Sequence, residues 1–267
     1  MIRVGQRLGK YRLKRRLAAG GFANVYEAFD TLERVSVALK VPLAEKLDAT
    51  LRSDFEREIR ISARLDHPNI LRLKTADYID GRLVLAYPIG LRTLSDRLTN
   101  RLSVRNALDF GEQLLEALAH AHEQRVMHCD VKPDNLILFA DGTLRLTDFG
   151  LAKQALRTQN ASSSGTLGYI APEQAMGRPS KRSDVFSAGI ILYRMLSGVL
   201  PEWPYEWPLP SLPRVRRGAP DMIPVLQRAL AIDARRRFRD AGHMLATFQT
   251  AKKLTLRLLE RRRRARR

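Results

Sequence analysis

The sequence predicts an α+β chain in two unequal parts: a small antiparallel β-rich lobe carrying one helix, then a larger, mainly helical lobe. Three observations carry this reading. From Tyr11 apolar residues alternate with basic ones, with Tyr11, Leu13 and Leu17 set against Arg12, Lys14 and Arg16, the period-two signature of a half-buried strand. After "PIGLRT" the period changes to that of a helix. A chain of 267 residues at 45% hydrophobic can also bury a core large enough for one domain of two lobes.

Taken in order, "AAGGFANVYEAF" reads as a tight turn entering a second strand, and "VSVALKVP" as a third strand closed by Pro42. "DFEREIRISARL", residues 54–65, sets Phe55, Ile59 and Ser62 on one helical face and ends at "DHPNI". "YIDGRLVLAY" places two strands about Asp80-Gly81, a hairpin signal. Beyond it, "VRNALDFGEQLLEALAHAHEQ" repeats Leu108, Leu114, Leu115 and Leu118 at helical spacing, and "SDVFSAGIILYRMLSG" is apolar nearly all round, as in a helix buried in a larger core. "VLPEWPYEWPLPSLPRVRRGAP" holds six of the thirteen prolines and both tryptophans, which predicts an irregular segment.

The net charge of +19 sits at the ends. Residues 1–16 hold seven basic residues and no acid, residues 252–267 hold nine against Glu260, and the body between carries only +4. No apolar run approaches the ~18 residues of a membrane-spanning helix, and the N-terminus lacks an apolar signal-peptide core. The single cysteine, Cys129, excludes an internal disulfide and makes a reducing cytoplasm the expected compartment, with peripheral attachment to a membrane or the nucleoid left open by the charged ends.

Four separated stretches carry chemistry: "VALK" (37–40), "HCDVKPDN" (128–135), "DFG" (148–150) and "APE" (171–173). In order and spacing they resemble the motif set of the protein kinase family, over roughly residues 11–250, in the form seen in bacterial eukaryotic-like Ser/Thr kinases. The resemblance implies a two-lobed kinase fold and a Ser/Thr protein kinase that uses ATP with Mg²⁺, or Mn²⁺ in its place, acts on Ser or Thr hydroxyls of protein substrates, and phosphorylates itself. It implies that Lys40 contacts the α/β-phosphates and pairs with Glu58, that Asn135 and Asp148 bind the metal, that Asp130 accepts or orients the substrate hydroxyl, and that Lys132 neutralises charge at the γ-phosphate. Leu17, Gly20, Gly21, Val25, Ala38, Lys40, Leu85, Ala86 and Ile137 would line the nucleotide site. Thr166 would brace Asp130, Glu173 would pair with Arg237 at the end of the activation segment, and Asp184 would be the buried carboxylate beneath the catalytic loop. His128 is expected to pack rather than act as a base.

Three departures bear on function. Ala18 and Ala23 stand where the family's phosphate loop usually has glycine, and an Ala forced to positive φ would cost roughly 1–2 kcal/mol. If Leu85 backs the adenine pocket, Pro88 falls where a backbone N–H normally meets the adenine ring, a loss of about 0.5–1.5 kcal/mol. Cys129 replaces the Arg that gathers a phosphorylated activation segment, and a thiol cannot make that bidentate contact. Activity is therefore expected not to require phosphorylation of "KQALRTQNASSSGT" (153–166) through this contact.

The organisation expected is an N-terminal lobe over 1–88, a helical lobe over 89–251 and a basic tail over 252–267. The tail reads as a solvated last helix with a frayed basic end, or as a surface whose partners would be non-specific nucleic acid or an anionic membrane. The alternative function is a pseudokinase scaffold, a nucleotide-binding interaction module with the same polyanion-binding tail.

Overall fold

The computed structural model describes residues 3–43, 49–149 and 167–265. Thr166, Gly150 and the Ser/Thr positions 158, 162, 163 and 164 lie outside the described residues.

The small lobe is one antiparallel six-stranded sheet ordered β1-β2-β3-β4-β6-β5, with β1 Arg7–Leu8, β2 Tyr11–Ala19, β3 Ala23–Asp30, β4 Val35–Pro42, β5 Thr75–Ile79 and β6 Arg82–Pro88. Strand alternation divides its side chains between two cores. Leu13, Tyr26, Val37, Leu39, Val84 and Ala86 fill one face. Ala23, Leu83, Leu85 and Tyr87 turn to the other, where they meet Leu51 and Phe55 of α1 (Ala49–Arg64). Buried Leu51, Phe55, Glu58 and Ser62 repeat at three- and four-residue spacing, so α1 begins one turn earlier than the apolar pattern from Phe55 indicates. The hairpin at Asp80-Gly81 forms as expected, both residues having positive φ.

The lobes are stitched by backbone. Leu146 N–H donates to the Asn69 carbonyl (2.8 Å) and Leu71 N–H to the Leu146 carbonyl (2.9 Å), so the chain between α1 and β5 lies on β9 (Leu144–Leu146). A second small sheet, β7 (Arg92–Thr93), β8 (Leu136–Leu138) and β9, floors the cleft between the lobes.

After α2 (Leu94–Arg97), the large lobe is built on α3 (Val104–Glu123), α5 (Lys181–Ser197) and α8 (Ala241–Arg264), with the short α4 (Pro172–Ala175), α6 (Leu212–Gly218) and α7 (Ile223–Ala229) around them. The helix α5 is buried from Ser183 to Ser197 except at Arg194, as its all-round apolar sequence requires. Gly111 of α3 marks a close helix contact: a Cβ there would lie 2.3 Å from Leu192 Cδ2 and 3.1 Å from Phe248 Cζ. Ser103, Ser180 and Asp240 cap the three long helices with side-chain oxygens.

The proline-rich segment contains no helix before Leu212. Tyr205 packs edge-on against Phe186 and Trp207 against Tyr193, while Trp203 stays 63% exposed. The peptide bonds before Pro204 and Pro208 are cis.

The basic tail expected from residue 252 begins inside a helix. The helix α8 runs unbroken through that residue to Arg264, because Lys252 bonds Asp109 (2.5 Å) and Glu112 (2.6 Å) of α3, and buried Thr255 donates to Asp221 (3.1 Å). Among the described residues no helix is long and apolar enough to cross a membrane.

Candidate active site

Three of the expected charged residues meet across the cleft. Lys40 Nζ on β4 donates to both Glu58 oxygens (2.7 and 2.9 Å) and to Asp148 Oδ1 (2.9 Å), joining α1 of the small lobe to the segment after β9. Burial alone would lower the Lys40 pKa, but the carboxylates of Asp148 and Glu58 outweigh it and raise it. Burial raises the Glu58 carboxyl against the pull of Lys40. Asp148 is held low despite burial, chiefly by the Lys40 charge. Asp148 has φ 65, a left-handed backbone that a non-glycine residue adopts only when its surroundings hold it there.

The loop between α3 and β8 gathers the second group. Asp130 Oδ2 is 2.9 Å from Lys132 Nζ and 3.0 Å from Asn135 Nδ2, which also donates to the Asp130 carbonyl (2.9 Å). With the amide nitrogen of Asn135 so engaged, its carbonyl oxygen remains as a ligand atom, and Asp148 supplies carboxylate oxygen. Oxygen donors of this kind suit a hard divalent cation. His128 is fully buried, accepts from Asp130 N–H at Nδ1 (3.2 Å), donates from Nε2 to the Thr147 carbonyl (2.8 Å) and packs edge-on against Phe149. With both nitrogens committed, it is scaffold.

Beneath this loop Asp184 accepts from His128 N–H (2.9 Å), Cys129 N–H (2.7 Å) and His122 Nε2 (2.9 Å). Burial would raise its carboxyl, but these three donors hold it below the ordinary value. The Cys129 carbonyl is gripped in turn by Gln174 Nε2 (2.6 Å), so a residue at φ 61 is fixed from both sides. Cys129 is itself buried, and burial together with the Asp184 charge pushes its thiol up to about 12. Nearby, Arg237 donates to Glu173 Oε1 (2.8 Å) and to the carbonyls of Ala231, Arg182 and Ile232, with its guanidinium over the Phe186 ring.

The residues expected to line a nucleotide divide by strand parity. Val25, Ala38, Lys40 and Leu85 share the cleft face, since Val25 pairs with Lys40 and Lys40 with Leu85. Ile137 of β8 packs against the same cluster from below. The Ala86 side chain does not share that face: consecutive strand residues face opposite ways, and it belongs to the core on the far side of the sheet, which leaves Ala86 only its backbone toward the cleft. Gly20 donates to the Ala23 carbonyl (2.9 Å) to close the phosphate loop beside Gly21, and Leu17 is 38% exposed at a register shift in β2. Neither Ala18 nor Ala23 has a positive φ, so the strain considered for them does not arise.

The end of β6 differs from the expectation drawn from Leu85. Leu85 stands opposite Lys40, whereas Tyr87 stands opposite Ala38, two residues nearer the lobe junction. Pro88 is still in the strand, paired with Val37. The backbone that meets the cleft floor is that of Gly90, where a Cβ would lie 2.2 Å from Ile137 Cγ2 and 2.9 Å from the Leu138 carbonyl oxygen. Sequence reasoning passed over Tyr87, His122 and Gln174. Tyr87 was legible only with the parity of β6 in hand, and the other two only from the fold.

These relations agree with what comparison finds. The family model "Protein kinase domain" matches residues 11–208. The chain is 41% identical over 217 residues to serine/threonine-protein kinase PknA of Mycobacterium tuberculosis, covering 74% of this chain and 49% of that protein. It is 35% identical over 208 residues to serine/threonine-protein kinase PrkC of Bacillus subtilis, covering 74% of this chain and 32% of that one. It thus spans about a third to a half of the length of these relatives. The crystal structure of the Mycobacterium tuberculosis PknI kinase domain superposes with TM-score 0.72 at 25% identity, over 94% of this chain and 99% of that one. The ordered motifs, the two-lobed fold and these matches together place the chain in the protein kinase family.

Proposed function

We propose that the chain is the catalytic domain of a serine/threonine protein kinase, transferring the γ-phosphoryl group of ATP to Ser or Thr hydroxyls of protein substrates, its own included. The observation that carries this is the pairing of Lys40 with both Glu58 and Asp148 above the Asp130–Lys132–Asn135 cluster. Phosphoryl transfer asks mainly for positioning and charge neutralisation. The substrate oxygen bonds to the γ-phosphorus as the bond to the β,γ-bridging oxygen breaks, ADP leaves, and Asp130 takes the hydroxyl proton. Lys132 offsets charge on the transferred group, and Lys40 holds the nucleotide phosphates. Asp148 and Asn135 would hold Mg²⁺ or Mn²⁺, which neutralises phosphate charge when bound. Thr166 bracing Asp130 belongs to the same proposal.

The adenine edge has its donor in this reading. Gly90, on the cleft floor, retains the N–H that Pro88 lacks, and among the described residues that N–H has no partner. The absence of positive φ at Ala18 and Ala23, with the Gly90 N–H near Pro88, supports this reading over a pseudokinase scaffold. The clasp for a phosphorylated activation segment stays lost at Cys129, so transfer proceeds without it.

The test is transfer of labelled γ-phosphate from Mg·ATP to the protein and to a generic basic acceptor, beside Asp130→Asn and Asp148→Ala. Wild-type transfer that both variants lose by ~10²–10⁴-fold is expected. Nucleotide binding with no transfer would favour the scaffold.

A second property rests on the base of the large lobe. The guanidinium of Arg262 donates to the Arg217 carbonyl, tying the end of α8 to α6. The helices α3 and α8 run antiparallel, which brings Arg101 and Arg105 toward the same end as Arg216, Arg217, Arg257, Arg261, Arg262, Arg263 and Arg264. None of these is in an ion pair among the described residues. We propose that this surface meets a polyanion, nucleic acid or anionic membrane.

A further inference from the structure

Glu58 has a second partner that the pairing with Lys40 does not require. The Tyr87 hydroxyl donates to Glu58 Oε1 at 3.0 Å, the oxygen that also accepts from Lys40. Ser62, one turn further along α1, lies beside the same hydroxyl. Tyr87, Glu58 and Ser62 are all buried, so each of these groups depends on the others for its partners. Tyr87 comes from β6, and Glu58 and Ser62 come from α1; the three therefore bolt the helix to the sheet beside Lys40.

Lys40 alone makes a poor anchor for α1. Its ammonium is shared between Glu58 and Asp148, and in the phosphotransfer reading, on which this inference rests, it must also serve the nucleotide phosphates. Tyr87 has no such second duty. A Phe would fill the same volume among Leu83, Leu85 and Phe55 but would leave Glu58 Oε1 with one donor fewer. We infer that Tyr87 is a positioning residue that keeps Glu58, and α1 with it, in the paired arrangement. It is an internal substitute for the ordering that an activation-segment phosphate cannot supply through Cys129.

The test uses Tyr87→Phe in two backgrounds, wild type and Glu58→Gln, with amide hydrogen exchange of α1 measured alongside. Tyr87→Phe should lower kcat/KM about tenfold in the wild-type background, the scale of one hydrogen bond to a buried charge. It should have little further effect in the Glu58→Gln background, because a residue acting through Glu58 is not additive with it. Amides around Glu58 should exchange about tenfold faster in Tyr87→Phe, as local opening becomes easier. An equal loss in both backgrounds, or none in either, overturns the inference. If wild type transfers no phosphate, the phosphotransfer reading fails separately, and the exchange rates alone decide: faster exchange in Tyr87→Phe upholds the bolt, and identical exchange removes it.

Discussion

Asp184 shows how one buried carboxylate shapes the loop between α3 and β8. It takes two consecutive backbone N–H groups, from His128 and Cys129, and a His122 ring N–H, which holds Cys129 in a left-handed conformation that a side chain adopts at a cost of roughly 1–2 kcal/mol. Its folded-state pKa lies below the ordinary 3.8. A carboxylate shifted in that direction contributes stability that is fully present above the unfolded value and is lost as pH falls through the folded one. Chemical denaturation should therefore show wild-type stability falling below about pH 4. Asp184→Asn should be about 3–5 kcal/mol less stable at pH 7, with a flatter acid limb. A variant with wild-type stability at both pH values would contradict this account of the loop. The sequence alone identified Asp184 through its place in the resemblance; its three donors come from residues some 55 to 62 positions away and needed the fold.

At the scale of elements, local pattern was legible wherever a segment's own side chains decide its form. The strand over 35–42 has the bounds its sequence suggests, and α5 is as buried as its apolar circumference implies. What local pattern missed depended on a neighbour. Residues 252–264 read as a last helix with a basic end, but what fixes its course was not local: Lys252 and Thr255 are committed to α3 and Asp221. Parity at the end of β6 was likewise undecidable from "VLAYPIG", since only the pairing with β4 shows that Tyr87 faces the cleft with Leu85 while Ala86 turns away. Helix crossing gives a direct test. Gly111→Ala would force Leu192 and Phe248 apart and should cost about 1–3 kcal/mol by thermal or denaturant unfolding, against the small gain that Ala normally brings to a helix.

Across the whole molecule, charge is segregated from chemistry. The cleft sets Lys40 and Lys132 among Glu58, Asp130 and Asp148, while arginines without an ion pair among the described residues collect at the other end of the large lobe, on and just before three helices. Because α8 carries most of them rigidly, their removal should leave the cleft untouched. Replacing Arg261, Arg262, Arg263 and Arg264 by Gln should abolish binding to a short DNA duplex and to anionic vesicles at low salt, with phosphate transfer unchanged. Binding by wild type should fall steeply with added salt, as counterion release demands. Binding to DNA alone would assign the surface to nucleic acid, and binding to vesicles alone to membrane; no binding to either in 50 mM salt would remove the proposal.

The sealed position of Cys129 has a practical side. The chain holds one thiol, and it is buried, ionises only near pH 12 and is hemmed in by backbone contacts on both sides. Thiol-directed dyes should pass the native protein by. A cysteine introduced at exposed Trp203 or Leu254 would then be the sole reactive handle, allowing a fluorophore or spin label to report on the proline-rich segment or the last helix without first stripping the protein of its own cysteine.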